Sequence, residues 1–251
     1  MTRRRWIADE VLGDRAALVG DHAAHLVRVL RARIGQEFDI STGDSTRRGR
    51  IISIGENRVE FDLAGVLPAN PLIDLTLLLS IFKFDRMEWA IEKCTELGAA
   101  RIVPVIAERS DSHLAAASAK RVERWRRIAH ESAEQSRRSS PPEIDAPLKL
   151  SEALSYPCPR IVLSELEPEK SLRDVLNGSG VENGVALAIG PEGGWTDREL
   201  ERFFKAGWTS ASLGKTIVRA ETAAIAAVAI AFSLFNPRAP QLHPDSSQHL
   251  G

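Results

Sequence analysis

Two stretches of this chain place glycines where short apolar runs end. They are Ile189-Gly190-Pro191-Glu192-Gly193-Gly194-Trp195-Thr196 and Leu213-Gly214-Lys215-Thr216-Ile217-Val218-Arg219-Ala220-Glu221-Thr222-Ala223-Ala224. Without a Cβ, glycine lets backbone N–H and C=O groups approach a ligand closely. In an open α/β sheet, the crevice at the carboxyl ends of the strands is where ligands bind. Two such loops close together in sequence point to one cofactor pocket built mainly from backbone. Known phosphate loops are excluded by spacing. A P-loop ending in Gly214-Lys215-Thr216 needs a glycine where Thr209 stands, and dinucleotide spacing would put its second glycine at Glu192. For either stretch alone, an ordinary tight strand-to-helix turn is the competing reading.

The elements that must hold these loops follow from periodicity. From Leu72 the pattern alternates, with strands expected at 72–81, 101–106, 161–163, 185–189 and 211–213. Helices are expected near 120–138, 171–176, 197–205 and 221–235. Asp85 is placed to cap a further helix with Glu88, its stripe being Met87, Ala90, Ile91 and Cys94 and its stop Gly98. The 120–138 helix would bury Val122, Trp125, Ile128 and Ala129, and Thr196 with Glu199 reads as a capping box. This order argues for an α/β fold with a parallel sheet covered on both faces. By pattern alone its crossovers would be unknotted.

Residues 1–68 read differently, as a small β-rich domain. A helix over 21–30 would bury Leu26, Val29 and Leu30. Strands fall around Phe38/Ile40, Ile51/Ile52/Ile54 and Val59/Phe61/Leu63, with turns at Gly43-Asp44 and Gly55-Glu56-Asn57. A PUA- or OB-like RNA-binding β-barrel has this character. The expected organisation is this domain at 1–68, a Pro-rich linker at 67–71, an α/β domain at 72–236 and a loose tail at 237–251.

Composition sets outer bounds. At 251 residues and 43% hydrophobic, the chain reads as globular and soluble. Its most apolar segment, 223–235, is shorter than the roughly 20 residues a bilayer needs, so no membrane is expected. No apolar core follows Arg3-Arg4-Arg5, so a secretory signal is not expected either. Cys94 and Cys158 have no paired Cys/His zinc spacing. A reducing cytoplasm and no bound metal are therefore expected. The net charge of −1 gives no overall basic signature, but charge is uneven. Seven Lys/Arg stand against three Glu over 120–138, whereas 160–205 holds six basic and nine acidic residues. Such a local face can bind a phosphate backbone, although a solvated helix face would look the same.

Gly190-Pro191-Glu192-Gly193-Gly194, followed by Leu213-Gly214 and by Ile217, Arg219, Glu221, Thr222 and Ala223 at their spacing, resembles the SPOUT-class RNA methyltransferases. Within that class the chain is similar to the RsmE-type enzymes, which methylate N3 of a uridine in small-subunit (16S) ribosomal RNA. The likeness extends over nearly the whole chain. It includes Arg28-Val29-Leu30-Arg31, Arg86-Met87-Glu88-Trp89, Glu92-Lys93-Cys94-Thr95-Glu96-Leu97-Gly98 and Glu134-Gln135-Ser136-Arg137-Arg138. Thr216 departs from the arginine expected there, and Ala220 from the usual threonine.

The resemblance implies a trefoil knot around the Gly190 and Gly214 loops, a bound S-adenosyl-L-methionine and a homodimer. The residues assigned to the cofactor are Leu163, Ile189, Gly190, Pro191, Glu192, Gly193, Gly194, Leu213, Gly214, Ile217, Arg219, Thr222 and Ala223. The small face of Ala223, Ala224, Ala227 and Ala231 suits either dimer packing or burial within one monomer. Methylation at N3 requires loss of an imide proton and stabilisation of charge on the uracil carbonyls. Arg219 is the candidate for the second task. Glu221 would accept the proton or hold Arg219, unless it is simply a carboxylate at a helix N-terminus; Glu192 has the same ambiguity. His22, His25, His113 and His130 read as surface or packing residues.

A uridine in folded RNA must leave its stack to react. Arg3, Arg4, Arg5, Arg28, Arg31 and Arg33 on one domain, with Arg86, Lys93, Arg109, Arg137 and Arg138 on the other, are the candidates to grip phosphates. The substrate would be 16S RNA, within the small ribosomal subunit. Two alternatives stand beside this reading. One is a related SPOUT methyltransferase acting on transfer RNA or a 2′-hydroxyl, and the other is a non-catalytic RNA-binding ribosome-assembly factor.

Overall fold

A computed structural model describes residues 5–43, 45–67, 74–136, 138–156, 159–179 and 184–235. Arg3, Arg4, Arg137, Cys158, the 68–71 part of the linker and the 237–251 tail, each singled out above, lie outside the described residues.

The first unit is a six-stranded sheet. Its strands are β1 (Arg5–Ile7), β2 (Glu10–Leu12), β3 (Arg15–Val19), β4 (Glu37–Ser41), β5 (Thr46–Ile54) and β6 (Arg58–Leu67). Their spatial order is β1-β4-β5-β6-β3-β2, antiparallel except for the β1–β4 pair. Trp6, Leu18, Leu26, Phe38, Ile40, Ile51, Val59 and Phe61 form its core. Between β3 and β4 run a short α-helix, α1 (Gly20–Ala24), and a π-turn, His25–Val29. The wider π-turn changes the helical period. Leu26 is buried while Val29 stands 64% exposed, which corrects the three-residue apolar face expected over 21–30.

The second unit begins with β7 (Leu75–Ser80), α2 (Phe84–Glu96), β8 (Arg101–Ile106), α3 (Ser112–Ala117) and α4 (Val122–Gln135). Two-residue strands β9 (Glu143–Ile144) and β10 (Leu148–Lys149) follow. The unit is completed by β11 (Arg160–Leu163), α5 (Leu172–Gly178), β12 (Val185–Ile189), α6 (Asp197–Lys205), β13 (Thr209–Ala211) and α7 (Ala220–Phe235). The sheet runs β10-β8-β7-β12-β11-β13 with β9 beside β8, and every pair is parallel.

Alternation divides these strands between two cores, as a parallel sheet buried on both faces requires. Leu77, Leu79, Leu187 and Ile189 pack with α2, α4, α5 and α7. Leu78, Val103, Ala186 and Ala188 face Trp195, Phe203 and Trp208. The N-cap of α2 is Lys83, not Asp85, and no side chain caps it. Glu88 instead takes Arg124 of α4 in a two-pronged ion pair at 2.6 and 2.8 Å. Strand β13 stops at Ala211, two residues short of the expected end, leaving Leu213 in the loop.

The units meet along α4. The Ile7 N–H donates to Glu134 Oε1 at 3.2 Å, and Ser41 Oγ donates to the Ser139 carbonyl. The His22 ring stacks on His130 with centroids 5.0 Å apart. A hydrogen bond to Asp9 raises the pKa of His22, while burial lowers that of His130. The two shifts run in opposite directions, which eases the repulsion of two stacked imidazoliums.

Candidate functional site

Parallel strands β11 and β12 end side by side, and their loops open onto a cleft of about 350 Å³. One wall is Ile189 to Glu192 with Gly194 and Trp195; the other is Ser212 to Ala220, with Ala223 beyond it. Leu163, Ser164 and Glu165 close the end of β11, and Arg86 reaches in from α2. Eleven of the thirteen expected cofactor residues thus meet in one place. Gly193 and Thr222 are the two that do not line it.

Each wall has an identifiable support. The Trp195 indole N–H donates to the Leu163 carbonyl at 3.0 Å, tying the 190–195 loop to the end of β11. A Cβ at Gly190 would come within 3.3 Å of that indole, so glycine permits the packing. Gly194 has φ +68°, in the region that favours glycine, and a Cβ there would lie 2.8 Å from Glu165 Oε1. The space beside Gly194 is therefore claimed by Glu165. Thr196 and Glu199 form the capping box expected for α6. Glu199 is fully buried, and its second task is to accept the Glu108 N–H at 2.8 Å. Arg109 extends this bracing by donating to the carbonyls of Gly193 at 2.7 Å and Trp195 at 3.3 Å.

The charged groups sort by burial. Arg86 Nη1 is 2.6 Å from Glu192 Oε1, and its Nε is 3.7 Å from Glu221 Oε1. Glu221 is 4% exposed, and its Oε2 is buried without a hydrogen-bond partner. One guanidinium thus joins α2, the 190–195 loop and the first turn of α7. Of the roles open to Glu221, holding Arg219 gives way to holding Arg86, and its place in the first turn of α7 is that of a carboxylate at a helix N-terminus. Arg219 is exposed at the cleft mouth. Ile217, 83% exposed, and Val218 flank it.

The residues expected to grip phosphate separate in the same way. Arg28 and Arg31 are exposed, as is Arg33. Arg86 and Arg109 are engaged at the cleft loops, and Lys93 lies between Glu92 and Glu96 at 2.7 and 2.9 Å. Arg138 is buried and donates to the Thr95 and Ala99 carbonyls, both at 2.7 Å, at the C-terminal end of α2. Burial brings its pKa down to about 10. Arg138 is a helix cap inside the protein. On α7, Ala224, Ala227 and Ala231 are fully buried against their own unit, which places these three of the four alanines in the monomer core, while Ala223 is partly buried and lines the cleft.

Ser164, Glu165 and Ser212 lie outside the two glycine stretches, Trp195, Lys215, Thr216, Val218 and Ala220 lie in them without being assigned to the cofactor, and Arg86 has a different task from the phosphate grip expected of it. The strand-end rule already applied to β12 would have found Ser164 and Glu165 had it been applied to β11 as well. Arg86 had no such signal, since only the packing of α2 against α7 brings it to the cleft.

Residues 68–232 match a family model described as an RNA methyltransferase domain, and residues 20–64 one described as an RNA methyltransferase PUA domain. Ribosomal RNA small subunit methyltransferase E of Synechocystis sp. is 34% identical over 82% of this chain and 68% of its own length. The Rickettsia conorii protein of the same name is 33% identical over 84% of this chain and 87% of its own. Among solved structures, ribosomal RNA small subunit methyltransferase E from Neisseria gonorrhoeae, bound to S-adenosyl methionine, superposes with a TM-score of 0.81. It is 30% identical and covers 93% of this chain and 98% of its own.

Proposed function

The chain belongs to the RNA methyltransferase family, and from that membership we propose that it transfers the methyl group of S-adenosyl-L-methionine to N3 of a uridine in 16S ribosomal RNA. The observation that carries the reading is the convergence of the Gly190–Trp195 and Ser212–Ala220 loops on one cleft with Arg219 at its mouth. The cleft fits the cofactor in size, at the lower end of the roughly 300–1,000 Å³ usual for such ligands. It also fits in character. Leu163, Ile189, Leu213 and Ile217 would hold the apolar parts, and Gly190 and Gly214 expose backbone donors and acceptors. When bound, the cofactor supplies an electrophilic methyl group.

The chain's own groups then have separate tasks. Arg219 presents fixed N–H donors to the uracil carbonyls, where charge develops as N3 gives up its proton to water at the open cleft and takes the methyl group in its place. Glu221 and Glu192 hold Arg86, which keeps α2, α7 and the 190–195 loop in register around the cleft. Residues 1–68 grip RNA through Arg28, Arg31 and Arg33, and residues 72–236 form the methyltransferase domain with its loops threaded as a trefoil knot. The enzyme works in the cytoplasm on RNA of the small subunit. A second copy of the chain covers Ile217 and Val218, whose exposure leaves apolar surface beside the cleft.

Calorimetry with S-adenosyl-L-methionine in the presence of a chelator tests the cofactor assignment. Saturable binding is expected. No heat at millimolar cofactor would remove the enzyme reading and leave an RNA-binding factor.

A further inference from the structure

Away from the cleft, His22, His130 and Glu134 each bring a metal-ligating type of atom to within 4.8 Å of the other two. They come from both units. His22 lies on α1, while His130 and Glu134 are one turn apart on the same face of α4. All three are half-buried, and they line an open cavity of about 630 Å³ where the units meet. The side chains are also oriented from behind. His22 Nδ1 is 3.0 Å from Asp9 Oδ1, so Nε2 is the ring nitrogen left to face the cavity. Glu134 accepts the Ile7 N–H at Oε1, which fixes the carboxylate against β1. A carboxylate behind an imidazole is the arrangement by which metal sites fix the ring and strengthen it as a ligand.

We propose that His22, His130 and Glu134 form a zinc site that pins the N-terminal sheet to α4. Two imidazoles and one carboxylate are a donor set that suits Zn²⁺, with a water molecule in the fourth position. Bonds of about 2.0–2.2 Å require the three ligand atoms to draw closer than they stand. The His22 and His130 rings stand stacked, 10° from parallel, so His130 must turn out of the stack to aim its lone pair at the same ion, and its partial exposure leaves room for that turn. Cysteine and histidine spacing could not reveal the site, because one ligand comes from the first unit and two from the second.

The test uses the full-length protein stripped with chelator and then titrated with Zn²⁺ by calorimetry, and with Co²⁺ while visible absorption is recorded. The variants are His130→Phe, which keeps a ring to stack on His22, and Glu134→Gln, which keeps an acceptor for the Ile7 N–H. One Zn²⁺ per chain is expected, with each variant weakened by more than the roughly 10–100-fold that loss of an outer-shell partner costs, because a ligand itself is removed, and with tetrahedral cobalt bands only in the unmodified protein. Zn²⁺ should raise the unfolding temperature of the unmodified protein and not that of the variants. Unchanged binding of S-adenosyl-L-methionine to the variants checks that they are folded. Equal Zn²⁺ affinity in all three proteins, or no Zn²⁺ binding by the unmodified protein, overturns the proposal.

Discussion

At the scale of single residues, the cleft separates groups held inside the protein from groups presented to a substrate. Arg219 is exposed at the cleft, and if it meets the base as proposed, Arg219→Ala should slow methyl transfer about 10²-fold, the size of losing one charge-stabilising donor. Cofactor affinity should change little; parallel loss of binding and rate would assign Arg219 to the pocket's structure. Gly194 is the opposite case. With φ at +68° and Glu165 Oε1 where a Cβ would go, Gly194→Val should distort the loop as well as block the cleft. Calorimetry should then find no cofactor binding, together with a lowered unfolding temperature. Arg138 shows the limit of reading charge from sequence. It looked like part of a basic helix face, yet it satisfies two carbonyls at the end of α2. Arg138→Met should destabilise the fold by about 1–3 kcal/mol, since the Ala99 carbonyl loses its donor and that of Thr95 keeps the Gly98 N–H. Denaturant unfolding measures that loss.

At the scale of elements, the strong periodic signals predicted most of the second unit. The stretches 101–106, 185–189 and 197–205 stand where alternation and capping put them, and the Thr196–Glu199 box is present. Thr196→Ala should cost about 1 kcal/mol in denaturant unfolding. It should also loosen the 190–195 loop, since the same box carries the buried Glu199 that reaches Glu108. What was not legible has physical reasons. Strands β1 and β2 are three residues each, too short for a period, and β2 is exposed throughout. The π-turn at His25–Val29 broke the helical count. Asp85 matched a cap pattern, but α2 begins one residue earlier and Glu88 is taken by Arg124. The two glycine loops could be read as a site because strand ends in a parallel sheet must open onto a crevice. The Arg86 bridge could not, because no local pattern states which helix packs beside which.

At the scale of the whole molecule, the account divides labour between a sheet that grips RNA and a parallel α/β unit that holds the cofactor. RNA affinity should fall steeply with salt, because each neutralised phosphate releases counterions. Replacing Arg28, Arg31 and Arg33 together by alanine should make that slope shallower, with cofactor binding unchanged. Equal slopes would place the RNA grip elsewhere. Nucleoside mass spectrometry reads the proposed chemistry at N3 of uridine itself. Small-subunit RNA lacking the modification would be incubated with the protein and S-adenosyl-L-methionine, digested, and compared with an Arg219→Ala control. 3-Methyluridine should appear at a single position in 16S RNA and be strongly reduced in the control. A methyl group found on a ribose 2′-hydroxyl or only in transfer RNA, or no methylated nucleoside at all, would contradict that chemistry.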